Sequence, residues 1–234
     1  MKQTLAITAC ALALPGLALA ATRPYEAGTF DEVSVAAGVD VDITVGPTRS
    51  VVAETRSSSF DDLRISVQGR TLRIDRTPRS WFSNWFSWNR TRYQVHVATP
   101  ALRALTASSG SDVDVKGRLA GDFSVTASSG SDVEVAGIGG GNVKVNSSSG
   151  SDVELAGSCI ALDAEASSGS DLDAKDLRCE NVSLQVSSGS DISVAATKRV
   201  SGRASSGSDV VVHGKPALVQ VEKSSGADLT VRDQ

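Results

Sequence analysis

The pentapeptide Ser-Ser-Gly-Ser-Asp sets hydroxyls beside a carboxylate, and it begins at Ser108, Ser128, Ser148, Ser167, Ser187 and Ser205, with a seventh copy at Ser224 that reads Ser-Ser-Gly-Ala-Asp. Residues of these types could supply a serine nucleophile, a carboxylate pair for acid/base attack on a glycan, or oxygen ligands for a hard cation. A nucleophilic serine needs a base. The only histidines are His96, inside the alternating run YQVHV, and His213, at the end of DVVVHG, and both read as ordinary strand residues. No G-x-S-x-G, H-E-x-x-H or G-x-x-x-x-G-K-[ST] motif is present. Carboxylate pairs repeated at every copy make a lattice, whereas an active site is singular, so the chain is not expected to be an enzyme.

The carboxylates keep a claim to cation binding. Asp112, Asp132, Asp152, Asp171, Asp191, Asp209 and Asp228 recur once per copy, and Asp114, Glu134, Glu154 and Asp173 form a second set two residues on. Stacked at a strand spacing of about 4.8 Å, they would form two columns. The first reading is that each Asp accepts backbone N–H groups at a corner while the solvated charges keep the surface from sticking. The alternative is a Ca²⁺ face built from Asp112, Asp114, Asp132, Glu134, Asp152, Glu154, Asp171 and Asp173, since hard cations take several oxygens. The Ca²⁺ nonapeptide repeat is matched only in part, because Val113 follows its Asp directly and the period is twice too long.

Two further sets carry chemistry. Cys159 and Cys179 lie seven residues after Asp152 and eight after Asp171, near-equivalent places in successive repeats, and are expected to pair as a disulfide. The stretch TPRSWFSNWFSWNR holds all three tryptophans, Trp81, Trp85 and Trp88, spaced i, i+4, i+7. Thr77 and Pro78 supply an N-cap and a first-turn proline, so the segment reads as a short amphipathic helix. Its expected role is to cap an open end. The competing role is to bind an anionic envelope glycan, with rings stacked on sugars and Arg79, Arg90 and Arg92 gripping carboxylate or phosphate. Insertion into a lipid surface is the remaining alternative.

The elements that must position these residues follow from the repeat. Successive copies start 18 to 20 residues apart, a period that means stacked repeats. Apolar residues alternate with polar ones on either side of each copy, as in Phe123, Val125, Ala127 before and Val133, Val135 after. That is the pattern of strands with one buried face. Each repeat is therefore strand, Ser/Gly corner, strand, and a second turn at Gly117, Gly137 or Gly157. The expected fold is an all-β parallel β-helix (β-solenoid) of ~20-residue coils, right-handed, with one short capping helix. Unbroken alternation through the corner puts the second and third Ser inward and the Asp outward. Ala36-Ala37-Gly38-Val39-Asp40-Val41-Asp42-Ile43 lines up with the repeat and suggests a degenerate early coil.

The order FDEVSVAAGVDVDITVG, then GRTLRID, then YQVHVATPALRALTASSGSDVDV resembles the head GIN domain of auto-transporter adhesins. The resemblance covers nearly all of the chain after residue 20, and the Trp-rich stretch lies outside its pattern. It implies a β-helix-like fold and a cell-envelope location, and it supplies no catalytic residue.

Residues 1–20, with Lys2 ahead of an apolar run ending Ala18-Leu19-Ala20, read as a secretory signal peptide. Ile7-Thr8-Ala9-Cys10 mimics a lipidation box, but too few apolar residues precede Cys10. Residues 21–234 then form one domain, irregular coils over 21–103 with the Trp/Arg insertion at 77–92, and regular repeats over 104–234. The net charge is −4, yet residues 49–103 hold ten Arg and no Lys against four acids. Export and the acidic balance disfavour nucleic acid, and no later stretch is long and apolar enough to span a membrane. The chain is read as an exported, non-enzymatic binding or adhesion module of the periplasm or cell surface, with no cofactor unless Ca²⁺. A purely structural envelope solenoid is the alternative, and a glycan-active enzyme the third.

Overall fold

The computed structural model describes residues 20–57, 59–77 and 91–233. Among them there are eighteen strands and no helix. The N-terminal part contains β1 (Ala21–Pro24), β2 (Glu32–Val35), β3 (Asp40–Val45), β4 (Ser50–Thr55), β5 (Leu63–Gln68), β6 (Thr71–Arg76) and β7 (Tyr93–Thr99). The repeats supply β8 (Ala104–Ser108), β9 (Asp112–Gly117), β10 (Phe123–Ser128), β11 (Asp132–Gly139), β12 (Asn142–Ser148), β13 (Asp152–Ser167), β14 (Asp171–Val186), β15 (Asp191–Ala204), β16 (Asp209–His213), β17 (Leu218–Lys223) and β18 (Asp228–Arg232).

These strands wind into a β-solenoid. The strand before each Ser-Ser-Gly-Ser-Asp lies on a first face, where β6, β2, β8, β10, β12, the ends of β13, β14 and β15, and β17 stack in parallel. The strand after it lies on a second face, in the parallel order β7, β3, β9, β11, β13, β14, β15, β16, β18. A short third side closes the coil through buried Leu119, Ile138, Cys159 and Leu177. Valine, leucine, isoleucine and alanine fill the interior, as a chain with 4% aromatic residues must. The second turn is tight. A Cβ on Gly137 would sit 2.0 Å from the Gly117 carbonyl oxygen, so close stacking at φ +92° admits only glycine there.

Each corner is a pair of left-handed residues. Ser109 and Gly110 have φ of 59° and 68°, and the same Ser-Gly pair repeats this in every copy. Alternation is therefore interrupted, and the expectation that both later serines point inward is corrected. Ser109 and its equivalents sit outside on the bend, while Ser111, Ser131, Ser151, Ser170, Ser190 and Ser208 are fully buried. The bend makes its backbone bonds between coils: the Gly110 N–H donates to Ser129 O at 3.1 Å, and the pattern runs on to Gly207 and Ser225. The buried hydroxyls complete the corner. Ser131 Oγ accepts from the Ser128 N–H at 3.1 Å and donates to Ala107 O of the preceding coil at 3.1 Å. Ser170 does the same with Ser167 and Ser147. The degenerate coil is real: Ala37 and Gly38 adopt the same left-handed pair, with Val39 buried at the ladder position.

The N-terminal end departs from simple winding. The coil β6–β7 lies outside β2–β3, although it follows that coil in sequence. Beyond it β5 pairs antiparallel with β6, and β4 antiparallel with β7, with β1 on the far side of β4. These reversed strands, which the repeat pattern did not announce, cover the end of the core with Leu63, Val51 and Ala53. The capping helix expected from Thr77 onward lies almost wholly outside the described residues.

Two serines of one pentapeptide should respond oppositely to substitution. Ser131→Ala removes a buried donor and acceptor and should cost about 1–3 kcal/mol. Ser129→Gly, two residues away at φ 58°, should be neutral or stabilising by up to about 1 kcal/mol. Urea unfolding of both variants checks this, and equal destabilisation would refute the assigned roles.

Candidate functional site

The register of the second face brings the carboxylates together. One outward column runs Gln94, Asp40, Asp112, Asp132, Asp152, Asp171, Asp191, Asp209, Asp228, and the neighbouring one runs His96, Asp42, Asp114, Glu134, Glu154, Asp173. Asp40 and Asp42 extend the expected ladder by one coil, and the Ala37-Gly38-Val39-Asp40 match was the signal for them. The first face is different in kind, with Ser34, Thr106, Thr126, Asn146, Glu165, Gln185 and Arg203 in one outward column. The acidity thus belongs to one face.

The carboxylates do not serve the corner. Among the described residues no hydrogen bond or ion pair reaches the carboxylates of Asp112, Asp132, Asp152, Asp171, Asp191, Asp209 or Asp228, which corrects the expectation that each would accept backbone N–H groups. The buried serines and the interstrand ladder fill that role. Partners are few among the described residues: Lys175 pairs with Asp173, His96 Nδ1 lies 3.0 Å from Asp42, and the neutral Gln94 amide donates to Asp42 at 2.8 Å. The cost shows in the titration of the ladder's first members. Burial, with Arg92 opposing it and Asp42 adding to it, raises the Asp40 pKa. Burial and then the Asp40 charge raise that of Asp112, and burial and the Asp112 charge raise that of Asp132. Parallel stacking points these side chains outward side by side, and among the described residues no three His, Cys, Asp or Glu converge into a cage for a metal ion. The face offers a line of negative field that attracts cationic groups.

The Trp/Arg segment occupies a specific place in the solenoid. Residues 36–39 turn the corner between Val35 and Asp40, and in the adjoining coil residues 75–93 span the equivalent gap between Ile74 and Gln94. The insertion therefore replaces one Ser-Gly-type corner, at the N-terminal end. Trp81, Trp85, Trp88, Arg79 and Arg90 lie outside the described residues, whereas Arg92 stands at the segment's exit, beside Asp40 and Asp112.

Both ends of the insertion are pinned to the loop 55–62. The Thr77 N–H donates to Asp62 O at 2.8 Å, Arg76 pairs with the Asp62 carboxylate at 2.6 Å and donates to Thr91 O at 3.2 Å, and Thr55 Oγ1 donates to Arg92 O at 3.0 Å. Tyr93, buried against Phe60 and under the Arg76 guanidinium, donates its hydroxyl proton to Asp62. Its pKa is pushed up to about 12, by burial first and then by the Asp62 carboxylate. Burial pushes Asp62 up as well, but hydrogen bonds from Tyr93 and Arg76 outweigh it and hold the carboxyl below its ordinary value. No local motif marked this cluster, because its members come from three separate stretches.

Cys159 and Cys179 stack in adjoining coils with Cα atoms 4.5 Å apart and are joined as a disulfide on the third side. No serine hydroxyl among the described residues bonds a histidine, and the six ladder serines are closed to solvent, so the geometry assembles no serine nucleophile. No helix of the described residues is long and apolar enough to cross a membrane.

Two outcomes follow from this geometry. A carboxyl whose folded pKa is raised is penalised while charged, so the penalty is full at pH 7 and fades as pH falls through the folded value toward 3.8. Asp112→Asn should accordingly raise stability by about 1 kcal/mol or less at pH 7 and low salt. Thermal melts should show that gain shrink, without vanishing, in about 0.5 M salt, which screens the Asp40 charge but not the burial penalty, and disappear as pH falls below the ordinary Asp value of 3.8. Separately, reduction of Cys159–Cys179, which closes a loop over a sequence separation of 20, should lower unfolding free energy by about 3 kcal/mol. Melts with and without reductant test this.

The whole fold has solved counterparts. A "putative adhesin" from Bacteroides fragilis superimposes with a TM-score of 0.77 at 15% identity, covering 91% of this chain and 97% of that one. A "putative adhesin" from Parabacteroides merdae gives 0.68 at 14% identity, over 93% and 98%. A "putative lipid binding protein" from Parabacteroides distasonis gives 0.67 at 16%, over 91% and 96%. No curated protein matches the sequence. The family model described as "Putative auto-transporter adhesin, head GIN domain" matches residues 29–216, which takes in both the degenerate coil and the serine ladder, and the chain belongs to that family.

Proposed function

We propose that this chain is an exported, non-enzymatic adhesion-type module of the cell envelope that recognises anionic glycan through its Trp/Arg insertion. The observation that carries the reading is positional: residues 75–93 replace a four-residue corner at one end of an otherwise regular solenoid. A corner can be lengthened without interrupting strand stacking, and insertions in repeat arrays map to such loops, often on the binding face. Arg76, Asp62 and Tyr93 hold the two exits of this one together.

The composition of the insertion supports an anionic sugar polymer. Trp81, Trp85 and Trp88 supply apolar planes for sugar rings, and Arg79, Arg90 and Arg92 supply planar forks for carboxylate or phosphate. The family's adhesin designation and the leader-like residues 1–20 support export to the periplasm or cell surface. The reading requires no cofactor. An anionic lipid surface presents similar chemistry, and the designation of the Parabacteroides distasonis neighbour makes it the second arm of the test.

The experiment is binding of the full chain to uronate- and phosphate-bearing polysaccharides, to neutral glycans, and to anionic and neutral vesicles. Anionic polysaccharide should bind, and Trp81→Ser/Trp85→Ser/Trp88→Ser should weaken it by about tenfold or more, with the melting point kept within a few degrees. Binding only to vesicles would move the target to lipid. A triple variant that binds as wild type, or a wild type that binds nothing, would leave the structural alternative standing. Turnover of the polysaccharide would refute the non-enzymatic reading.

A further inference from the structure

The acidic face ends against two guanidinium groups. On β7, Gln94 pairs with Asp40 of β3 on one side and with Glu54 of β4 on the other, so one outward row reads Asp40, Gln94, Glu54. The next pair along the same strands, Tyr93 and Thr55, is buried, and alternation returns Arg92 and Arg56 to the outer surface, where both are exposed. Thr55 Oγ1 holds the two stretches side by side, donating to Arg92 O at 3.0 Å and accepting from the Ser57 N–H at 3.1 Å. A row with two carboxylates therefore lies beside a row with two guanidiniums, two residues or about 7 Å away along the strand.

The two rows border an open hollow of about 540 Å³, to which Ser57 and Thr91 also contribute. Its charges are not used by the fold. Among the described residues the side chains of Asp40, Arg56 and Arg92 make no hydrogen bond or ion pair, and Glu54 has only His96 Nε2, at 3.7 Å. Asp40 is half-buried, and burial raises its pKa although the Arg92 charge opposes the rise. A simple anion in the hollow would meet Asp40 and Glu54, and a simple cation would meet Arg56 and Arg92. A ligand carrying both charges meets neither repulsion.

We infer that this hollow binds a sugar unit bearing both a protonated amine and a carboxylate or phosphate, with the amine between Asp40 and Glu54 and the anion between Arg56 and Arg92. The inference rests on the proposed glycan reading in taking the ligand to be a sugar. It adds a selection to that reading: the polymer recognised carries charges of both signs, and the four charged side chains of the hollow read them as a pair.

Calorimetric titration of the full chain with glucosamine 6-phosphate, glucose 6-phosphate and glucosamine, at low salt and at a pH that keeps the amine protonated, tests this. Glucosamine 6-phosphate should bind about tenfold or more tightly than either single-charge sugar. Asp40→Asn/Glu54→Gln should remove its advantage over glucose 6-phosphate, and Arg56→Gln/Arg92→Gln its advantage over glucosamine, each with the melting point kept. A wild type that binds none of the three, or that binds glucose 6-phosphate as tightly as glucosamine 6-phosphate, would overturn the inference. Phosphoethanolamine binding more tightly than the sugar would overturn it in favour of a lipid headgroup. Failure with these small sugars leaves the tryptophan reading standing, since that reading is decided on the polymer by the triple tryptophan variant.

Discussion

A buried hydroxyl at the corner of six successive coils, Ser111 to Ser208, is the contact on which the solenoid depends. A parallel stack of strands must turn sharply between faces, and at the serine corners two consecutive left-handed residues make the turn with backbone hydrogen bonds to the neighbouring coil and none inside it. The freed N–H and C=O groups sit against an apolar core, where leaving them unpaired would be costly. Ser131 and Ser170 answer both needs at once, accepting from their own coil and donating to the one before. The buried serine appears only where a corner of the same type lies on each side. The corresponding positions in the first and last corners of this type are Val39 and Ala227.

Once the corner is fixed, the register of everything beyond it is fixed too. Asp follows the buried serine by one residue, so stitching the serines coil to coil forces the carboxylates into a column. Like charges at about 4.8 Å intervals oppose the stacking that aligns them; burial first, and the charge of the preceding Asp second, raise the pKa values of Asp112 and Asp132. A position that opposes the fold and satisfies no backbone group is explained by solubility or by an external partner. The face cannot be assigned to corner chemistry.

The coils were legible because their signals are local and repeated. Period two identified the strands, the interval near twenty identified the stacking, and Ala37-Gly38 carried enough of the corner to reveal the early coil. What escaped was non-local. The antiparallel β4 and β5 contain ordinary alternating residues, SVVAET and LRISVQ, that look the same whichever direction they pair. The cluster of Asp62, Arg76 and Tyr93 exists only because β5, β6 and β7 meet at one end. The second corner serine was misplaced for a different reason: alternation assumes extended backbone, and Ser109 at φ 59° is not extended.

Where a solenoid can hold a specific site follows from its symmetry. Coils related by a uniform step present the same chemistry at each level, so the interior of the array offers a graded field or a line of equivalent contacts, and its register gives a ligand no unique address. Singular chemistry must sit where the step is broken. The structure breaks it at the corner replaced by residues 75–93 and on the third side where Cys159 joins Cys179. The disulfide is buried and occupied by its own bond. The corner carrying an insertion rich in aromatic and guanidinium groups is therefore where recognition can be specific.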